Sequence, residues 1–378
     1  MAYPIITIIG GGQLGRMLTQ EAQKLGFQVN ILDQDPDCSA GQVSDGLVLG
    51  DIFDTDIIED IAPSTNFWTF EIEHLDCDQL DFLVKKFSLK INPFISTLRI
   101  INDKFHQKEF LRTHGIPVAD FGLVNSLSND LDKKISDLPP FPFITKTHRG
   151  GFDGRGNMIV KNQKDLENAI DKFGLDNIYW ESLVDFGLEV SVIVVKGEFQ
   201  TSLYEVTENI HKDNICVRSI TPARISEDSK TQAGELALRI VDKLEGRGVF
   251  TVEFFVTRDG KLIVNEIAPR VHNSGHWTMN GSSTSQFENH IRAITGLNLG
   301  NTAMTHPYSV MVNILGTKKG EVKLEALHNL LEIPNLHLHL YGKNPVKKAR
   351  KMGHINLVGD NLEALLKLAD EVEGRVRV

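Results

Sequence analysis

Glu253 and Glu266 each stand within an apolar run, at residues 249–256 and 262–267. Between the runs lies Thr257-Arg258-Asp259-Gly260-Lys261, and Asp-Gly is a strong hairpin-turn signal. With Asp259 and Gly260 as a two-residue turn, counting outward sets Glu253 directly opposite Glu266 on one face. Like charges so placed repel, and the apolar neighbours deny both easy solvation. A divalent cation resolves the conflict. Oxygen-only donors suit Mg²⁺, with Mn²⁺ a possible substitute. The competing reading is a slipped register that separates the two carboxylates.

A second group gathers around Lys146, which precedes His148-Arg149-Gly150-Gly151-Phe152-Asp153-Gly154-Arg155-Gly156-Asn157. Glycines this dense do not suit a helix or a central strand. Such a loop can fold backbone N–H groups over phosphates. It is not a Walker A loop, because no Gly-Lys-Ser/Thr follows. A flexible hairpin tip is the plain alternative, and Lys146, Arg149 and Arg155 weigh against it. Farther on, residues 179–184 read as a strand leaving one lobe for another. The backbone of Glu181, Ser182, Leu183 and Val184 can there meet a purine base, and Glu189 can accept from ribose hydroxyls. Taken singly, each of these glutamates is a solvated strand end.

A third group is Gly10, Gly12 and Gly15, spelling G-x-G-x-x-G between a strand and a helix, with Asp33 after the next strand. This is a dinucleotide-binding fingerprint. Three readings stay open on these residues alone: NAD(H), a tight turn and nothing more, or the phosphate of another ligand.

The elements that must carry these groups alternate at first. Strands are expected at residues 5–9, 29–32, 46–49 and 66–70, with a helix at 14–25 stopped by Gly26, giving an α/β sheet with crossover helices. The pattern changes at 92–102. A helix at 104–114, a proline-marked loop at 136–142 and a strand at 143–146 follow. The chain then reads as α+β with antiparallel hairpins to about residue 300. Short strands, a basic turn at 343–351 and a helix at 361–373 complete it. Three units are expected, 1–100, 101–300 and 301–378, which suits 378 residues. The net charge of -10 argues against nucleic acid or an anionic membrane as the main partner. Three scattered cysteines indicate neither a disulfide framework nor a zinc site, and fit a reducing cytoplasm. The apolar run at 5–9 is too short for a signal peptide or a membrane span.

Lysine, glycine loop, hinge glutamate and paired glutamates occur in the order seen in the ATP-grasp superfamily. The flanking stretches at 10–17, 69–73, 150–156, 265–278 and 350–354 together resemble the N5-carboxyaminoimidazole ribonucleotide synthase family of purine biosynthesis. The resemblance covers almost the whole chain, and 265–278 is its most specific part. It implies a Rossmann-like N-terminal domain, an ATP-grasp centre and a small C-terminal α/β domain. The implied reaction joins ATP, bicarbonate and 5-aminoimidazole ribonucleotide through carboxyphosphate. By motif position ATP meets Lys104, Lys146, residues 151–157, residues 181–184, Glu189, His211, Asn265 and Glu266, with Glu253 and Glu266 on Mg²⁺. The first glycine loop then serves the ribonucleotide through Gly12, Gln13 and Leu14. Glu71, Glu73, Asn273, Ser274, Lys343, Arg350 and Lys351 assist it. Arg270 and His272 are the candidates for activating bicarbonate, and Lys351 joins them. Asp153 or the released phosphate takes the amine proton. A cytoplasmic homodimer without nucleic-acid or membrane partners is implied.

The chain departs from the family pattern in places. Phe152 stands where Tyr is usual, Arg155 for Lys, Asn157 for Gln, and Ala268 where many ATP-grasp enzymes have an Asn ligand. Three other functions compete: a formate-using glycinamide ribonucleotide transformylase, an NAD-dependent oxidoreductase, and a non-catalytic nucleotide module. The glutamate pair argues against the last two, since neither needs it.

Overall fold

The computed structural model describes residues 3–124, 138–151, 156–317 and 330–375. Its N-terminal unit is a parallel sheet of β1 (Ile5–Ile9), β2 (Gln28–Asp33), β3 (Gly46–Leu49) and β4 (Phe67–Phe70), in the order β3-β2-β1-β4. The all-apolar Ile6, Ile8 and Ile9 are buried, as expected for a central parallel strand flanked by helices. α1 (Gln13–Lys24) buries Leu14, Met17, Leu18 and Ala22, and Gly26 follows it in the left-handed region at φ 84°. α2 (Thr55–Ile61) and α3 (Cys77–Phe87) take Asp54 and Asp76 as N-caps. α4 (Ile95–Asn102) occupies the stretch where the sequence showed only a change of pattern.

α5 (Lys104–Thr113) starts on Asp103, whose Oδ1 accepts from the N–H groups of Phe105 and His106 at 3.0 and 3.1 Å. A small antiparallel sheet follows, made of β5 (Phe121–Leu123), β6 (Phe143–Thr147), β7 (Asn157–Val160) and β8 (Ile178–Ser182), in the order β5-β8-β6-β7. α6 (Gln163–Phe173) packs on it through Leu166 and Ala169. Part of the expected proline-marked loop, residues 136–137, lies outside the described residues.

The third sheet is antiparallel and has nine strands: β9 (Phe186–Lys196), β10 (Thr201–Leu203), β11 (Thr207–Lys212), β12 (Ile215–Thr221), β13 (Gly248–Thr257), β14 (Leu262–Ala268), β15 (Tyr308–Leu315), β16 (Leu336–Leu340) and β17 (Lys351–Gly359). Its path is β14-β13-β9-β11-β12-β15-β17-β16, with β10 beside β9. α7 (Glu227–Asp242), α8 (Gln286–Thr295) and α9 (Leu362–Arg375) cover it. The C-terminal strands thus extend the central sheet through the β12–β15 pair and build no sheet of their own. The first and last units also meet. Ser39 Oγ donates to Tyr341 O, and Gln42 Nε2 donates to Gly342 O at 2.8 Å.

The β13–β14 hairpin corrects the expected turn. Pairing nearest the turn joins Val256 to Leu262, and Thr257 N–H donates to Lys261 O at 2.9 Å. The loop is therefore Arg258-Asp259-Gly260, with Gly260 at φ 83°. In that register Glu253 would face Asn265. A bulge between Glu253 and Phe254 takes up one extra residue and brings Glu266 opposite Glu253 after all.

Candidate active site

A cleft of about 310 Å³ opens between the small sheet and the large one. Lys104, Lys146, Glu189, His211, Glu253, Asn265, Glu266, His272 and Lys351 face it. One wall descends from α5 and β6. Lys104 Nζ reaches Glu266 Oε2 at 3.0 Å. Its N–H donates to His148 O at 2.8 Å, which ties α5 to the foot of the second glycine loop. Lys146 Nζ lies 3.1 Å from Glu181 Oε1 and 3.4 Å from Asn265 Oδ1. Phe152, Asp153, Gly154 and Arg155 lie outside the described residues, while Gly151 and Asn157 line the cleft. Gly156 sits at φ 88°, and its carbonyl accepts from Thr147 N–H at 2.9 Å.

The glutamate pair carries the electrostatics. Burial pushes the Glu253 carboxyl well up, and the facing Glu266 pushes it further. Lys104 holds Glu266 low against its own burial. The pair therefore resists carrying two charges at once. A hard cation can relieve that conflict. Among the described residues no three histidine, cysteine or carboxylate groups gather to hold a metal. Two facing carboxylates are oxygen donors of the kind Mg²⁺ takes, together with phosphate oxygens. Glu189 Oε1 lies 3.3 Å from His211 Nδ1. Burial lowers the His211 ring, but Glu189 more than offsets this and the net shift is upward.

Glu181 turns away from the cleft. Its carboxylate is buried against Lys146, Lys108 and the Tyr179 hydroxyl, and Ser182 N–H donates to Asp120 O at 2.8 Å. Leu183 and Val184, beyond the end of β8, are the part of that stretch outside the ladder.

Arg270 and His272 flank a small recess beside the main cleft, which shares Lys104 and Glu266 with it. Arg270 Nη2 meets Glu73 Oε1 at 3.2 Å, and Nη1 donates to Val271 O at 3.1 Å. His272 Nε2 lies 3.4 Å from Glu253 Oε1, and Nδ1 is 2.9 Å from Ser274 Oγ. Burial and the nearby Arg270 push His272 down to about 3, so the ring is neutral.

The first glycine loop is not an open phosphate cradle. Gly12 and Gly15 donate their N–H groups to Glu71 at 2.7 and 3.0 Å, and Gly11 donates to Asp33 Oδ2 at 2.6 Å. The protein's own carboxylates fill the place of an anion at the α1 N-terminus, and Asp33 is pinned to the loop instead of facing a ribose. This removes the basis of the NAD reading. It also makes Glu71 and Gly12 supports of the loop. Leu14 is a core side chain. Gln13 accepts from Lys343 Nζ. Burial and Arg350 push Lys343 down to about 8. Arg350 itself donates to Pro345 O at 3.0 Å. Asn273 exchanges amide hydrogen bonds with Asn313 at 3.0 and 2.6 Å. Ser274 is buried with its hydroxyl accepting from Ser191 at 2.8 Å, so it supports the wall.

Sequence reasoning missed Lys108 and Gln107, both buried beneath the cleft. The signal was present for the first: Lys108 stands one turn after Lys104, on the inward face of the same helix. Phe186 and Phe255, stacked at 4.4 Å between ring centroids, also line the cleft.

Family models agree with this layout. The ATP-grasp domain matches residues 109–287, the ribonucleotide synthetase preATP-grasp domain 4–102, and the phosphoribosylaminoimidazole carboxylase C-terminal domain 309–368. Fold and cleft together define an ATP-grasp enzyme. The chain is 39% identical to an N5-carboxyaminoimidazole ribonucleotide synthase of Bacillus subtilis, across 94% of this chain and 92% of that one. The N5-carboxyaminoimidazole ribonucleotide synthetase structure from Thermotoga maritima is 41% identical, with a TM-score of 0.86 over 99% of each chain. The Aspergillus clavatus synthase, crystallised with ADP and 5-aminoimidazole ribonucleotide, is 34% identical, with a TM-score of 0.86 over 98% of this chain and 99% of that one. This chain belongs to the N5-carboxyaminoimidazole ribonucleotide synthase family.

Proposed function

We propose that the enzyme carboxylates the 5-amino group of 5-aminoimidazole ribonucleotide, spending ATP and bicarbonate by way of carboxyphosphate. The observation that carries this is the facing Glu253–Glu266 pair, with Lys104 and Lys146 across the same cleft. Bicarbonate is a poor electrophile, and phosphorylation activates it. The residues' work is to align it with the γ-phosphate and exclude water. Glu253 and Glu266 would hold Mg²⁺ or Mn²⁺, which neutralises the transferring phosphoryl group. Arg270, with its fork of donors, would bind bicarbonate in the recess beside Glu266. Neutral His272 would steady the same anion, with Lys351 nearby in the cleft. Gln13, Lys343 and Arg350 would hold the ribonucleotide. Asp153 stays a candidate for the amine proton.

Three units at 1–100, 101–300 and 301–378, a homodimer and a cytoplasmic setting belong to the same proposal. Among the described residues no helix is long and apolar enough to cross a membrane. The test is ADP release with bicarbonate, with and without 5-aminoimidazole ribonucleotide, beside glycinamide ribonucleotide plus formate. Release that requires the aminoimidazole supports the proposal. Release driven by formate and glycinamide ribonucleotide overturns it.

A further inference from the structure

β14 is the last strand of the large sheet on the cleft side. Among the described residues its outer backbone edge meets another backbone only at the Val264–Val118 bridge, where Val264 N–H donates to Pro117 O at 2.9 Å. Side chains of α5 close the rest. Lys108 Nζ donates to Val264 O at 3.0 Å. Gln107 bonds Ile267 in both directions: its Oε1 accepts from Ile267 N–H at 2.8 Å, and its Nε2 donates to Ile267 O at 3.2 Å. Asn265 and Glu266, the bulge region that brings Glu266 opposite Glu253, lie between these two fixed points. Both clamping residues are 2% exposed. They share α5 with Lys104, the partner of Glu266. Lys108 also reaches Glu181 Oε1 at 3.4 Å, the oxygen that holds Lys146.

A bulged strand has given up part of its ladder. Relaxing into the register set at the turn would pair Glu253 with Asn265 and carry Glu266 to the other face. Something must fix the backbone on both sides of the extra residue. We infer that Gln107 and Lys108 are positioning residues that clamp β14 on either side of its bulge and so hold Asn265 and Glu266 toward the nucleotide. Neither lines the main cleft, and Gln107 borders the small recess beside it from behind Ile267. The inference rests on the ATP-grasp reading of that cleft, and it goes further by assigning the geometry of the acidic pair to two side chains behind it.

Gln107→Leu keeps the volume and removes the bonds to Ile267. The affinity for Mg-ATP, by isothermal titration, should fall about tenfold, while that for 5-aminoimidazole ribonucleotide stays within about twofold. Added to Asn265→Ala, Gln107→Leu should cost less than its loss in the wild-type background, because both act on one segment. Equal losses for the two ligands, or losses that simply multiply, would overturn the clamp. If Gln107→Leu does not fold, Lys108→Met serves the same comparison, with Lys108→Arg expected to restore most of the loss. Failure of Lys108→Arg to restore it counts against the clamp. Wild-type protein that binds no Mg-ATP removes the ATP-grasp reading and the clamp with it. Normal wild-type binding with unaffected variants removes the clamp alone.

Discussion

Arg270 carries the sharpest single-residue expectation. Its guanidinium is fixed between Glu73 and the Val271 carbonyl and borders the recess beside Glu266. No hydrogen bond ties it to the Lys146 side of the cleft among the described residues. Arg270→Ala should therefore abolish carboxylation while ATP binds with near-normal affinity by isothermal titration. A variant that loses ATP binding but keeps its turnover at saturating nucleotide would move Arg270 into the nucleotide site. Glu266→Gln makes a different demand. It removes one charge facing Glu253 and the partner of Lys104, so ADP formation should fall by at least about 10²-fold, the scale of a lost electrostatic stabiliser. Activity near wild type would mean the acidic pair holds no catalytic cation.

At the scale of elements, the sequence yielded strands and helices with small errors and yielded contacts unevenly. Strand β1 and helix α5 were legible because an unbroken apolar run and a capped amphipathic stretch are local signals. The glutamate pairing was reached from a two-residue turn, whereas the molecule uses a three-residue turn and a bulge. The two departures cancel, and neither leaves a mark that a turn rule can read. The family resemblance marked Glu71 as a substrate contact, but not as the carboxylate that occupies the first glycine loop, since a contact to Gly12 is set by tertiary packing. That loop is testable as an element. A Cβ on Gly12 would overlap Glu71 Oε1. Gly12→Ala should dislodge the carboxylate and leave buried polar groups unpaired, destabilising the protein by about 1–3 kcal/mol. The affinity for 5-aminoimidazole ribonucleotide should fall while that for Mg-ATP holds. A denaturation midpoint and both affinities at wild-type values would mean the loop does not depend on Glu71.

At the scale of the whole molecule, a histidine cluster sits where the units join, with His276 and His354 buried and His339 half-buried. His354 lies 4.7 Å from His276 and 4.5 Å from His339 between ring centroids, and Tyr341 Oη is 2.8 Å from His354 Nδ1. Burial pushes His339 down to about 4 and the other two well below the ordinary histidine value. All three are neutral when folded. Below about pH 6.5 the unfolded chain takes up protons that the folded one refuses. Stability from this cluster is thus complete above that pH and is lost as pH falls toward 4, by about 1.4 kcal/mol per pH unit for each histidine. The urea midpoint should drop steeply across this window, and less steeply in His339→Phe. Identical slopes for the two proteins would clear His339 of any part in acid sensitivity.

The continuity of the nine-stranded sheet has a consequence for how the chain comes off the ribosome. β12 is paired on one side with β11 and on the other with β15, and β15 emerges only after α7, the β13–β14 hairpin and α8 have been made. Until then the nascent sheet carries an open edge on β12, a template for pairing with other chains. The β13–β14 hairpin is thus finished well before the strand that seals the same sheet. An ATP-grasp piece cut at residue 300 would keep that edge open permanently, so the last strands act as a seal on the central sheet.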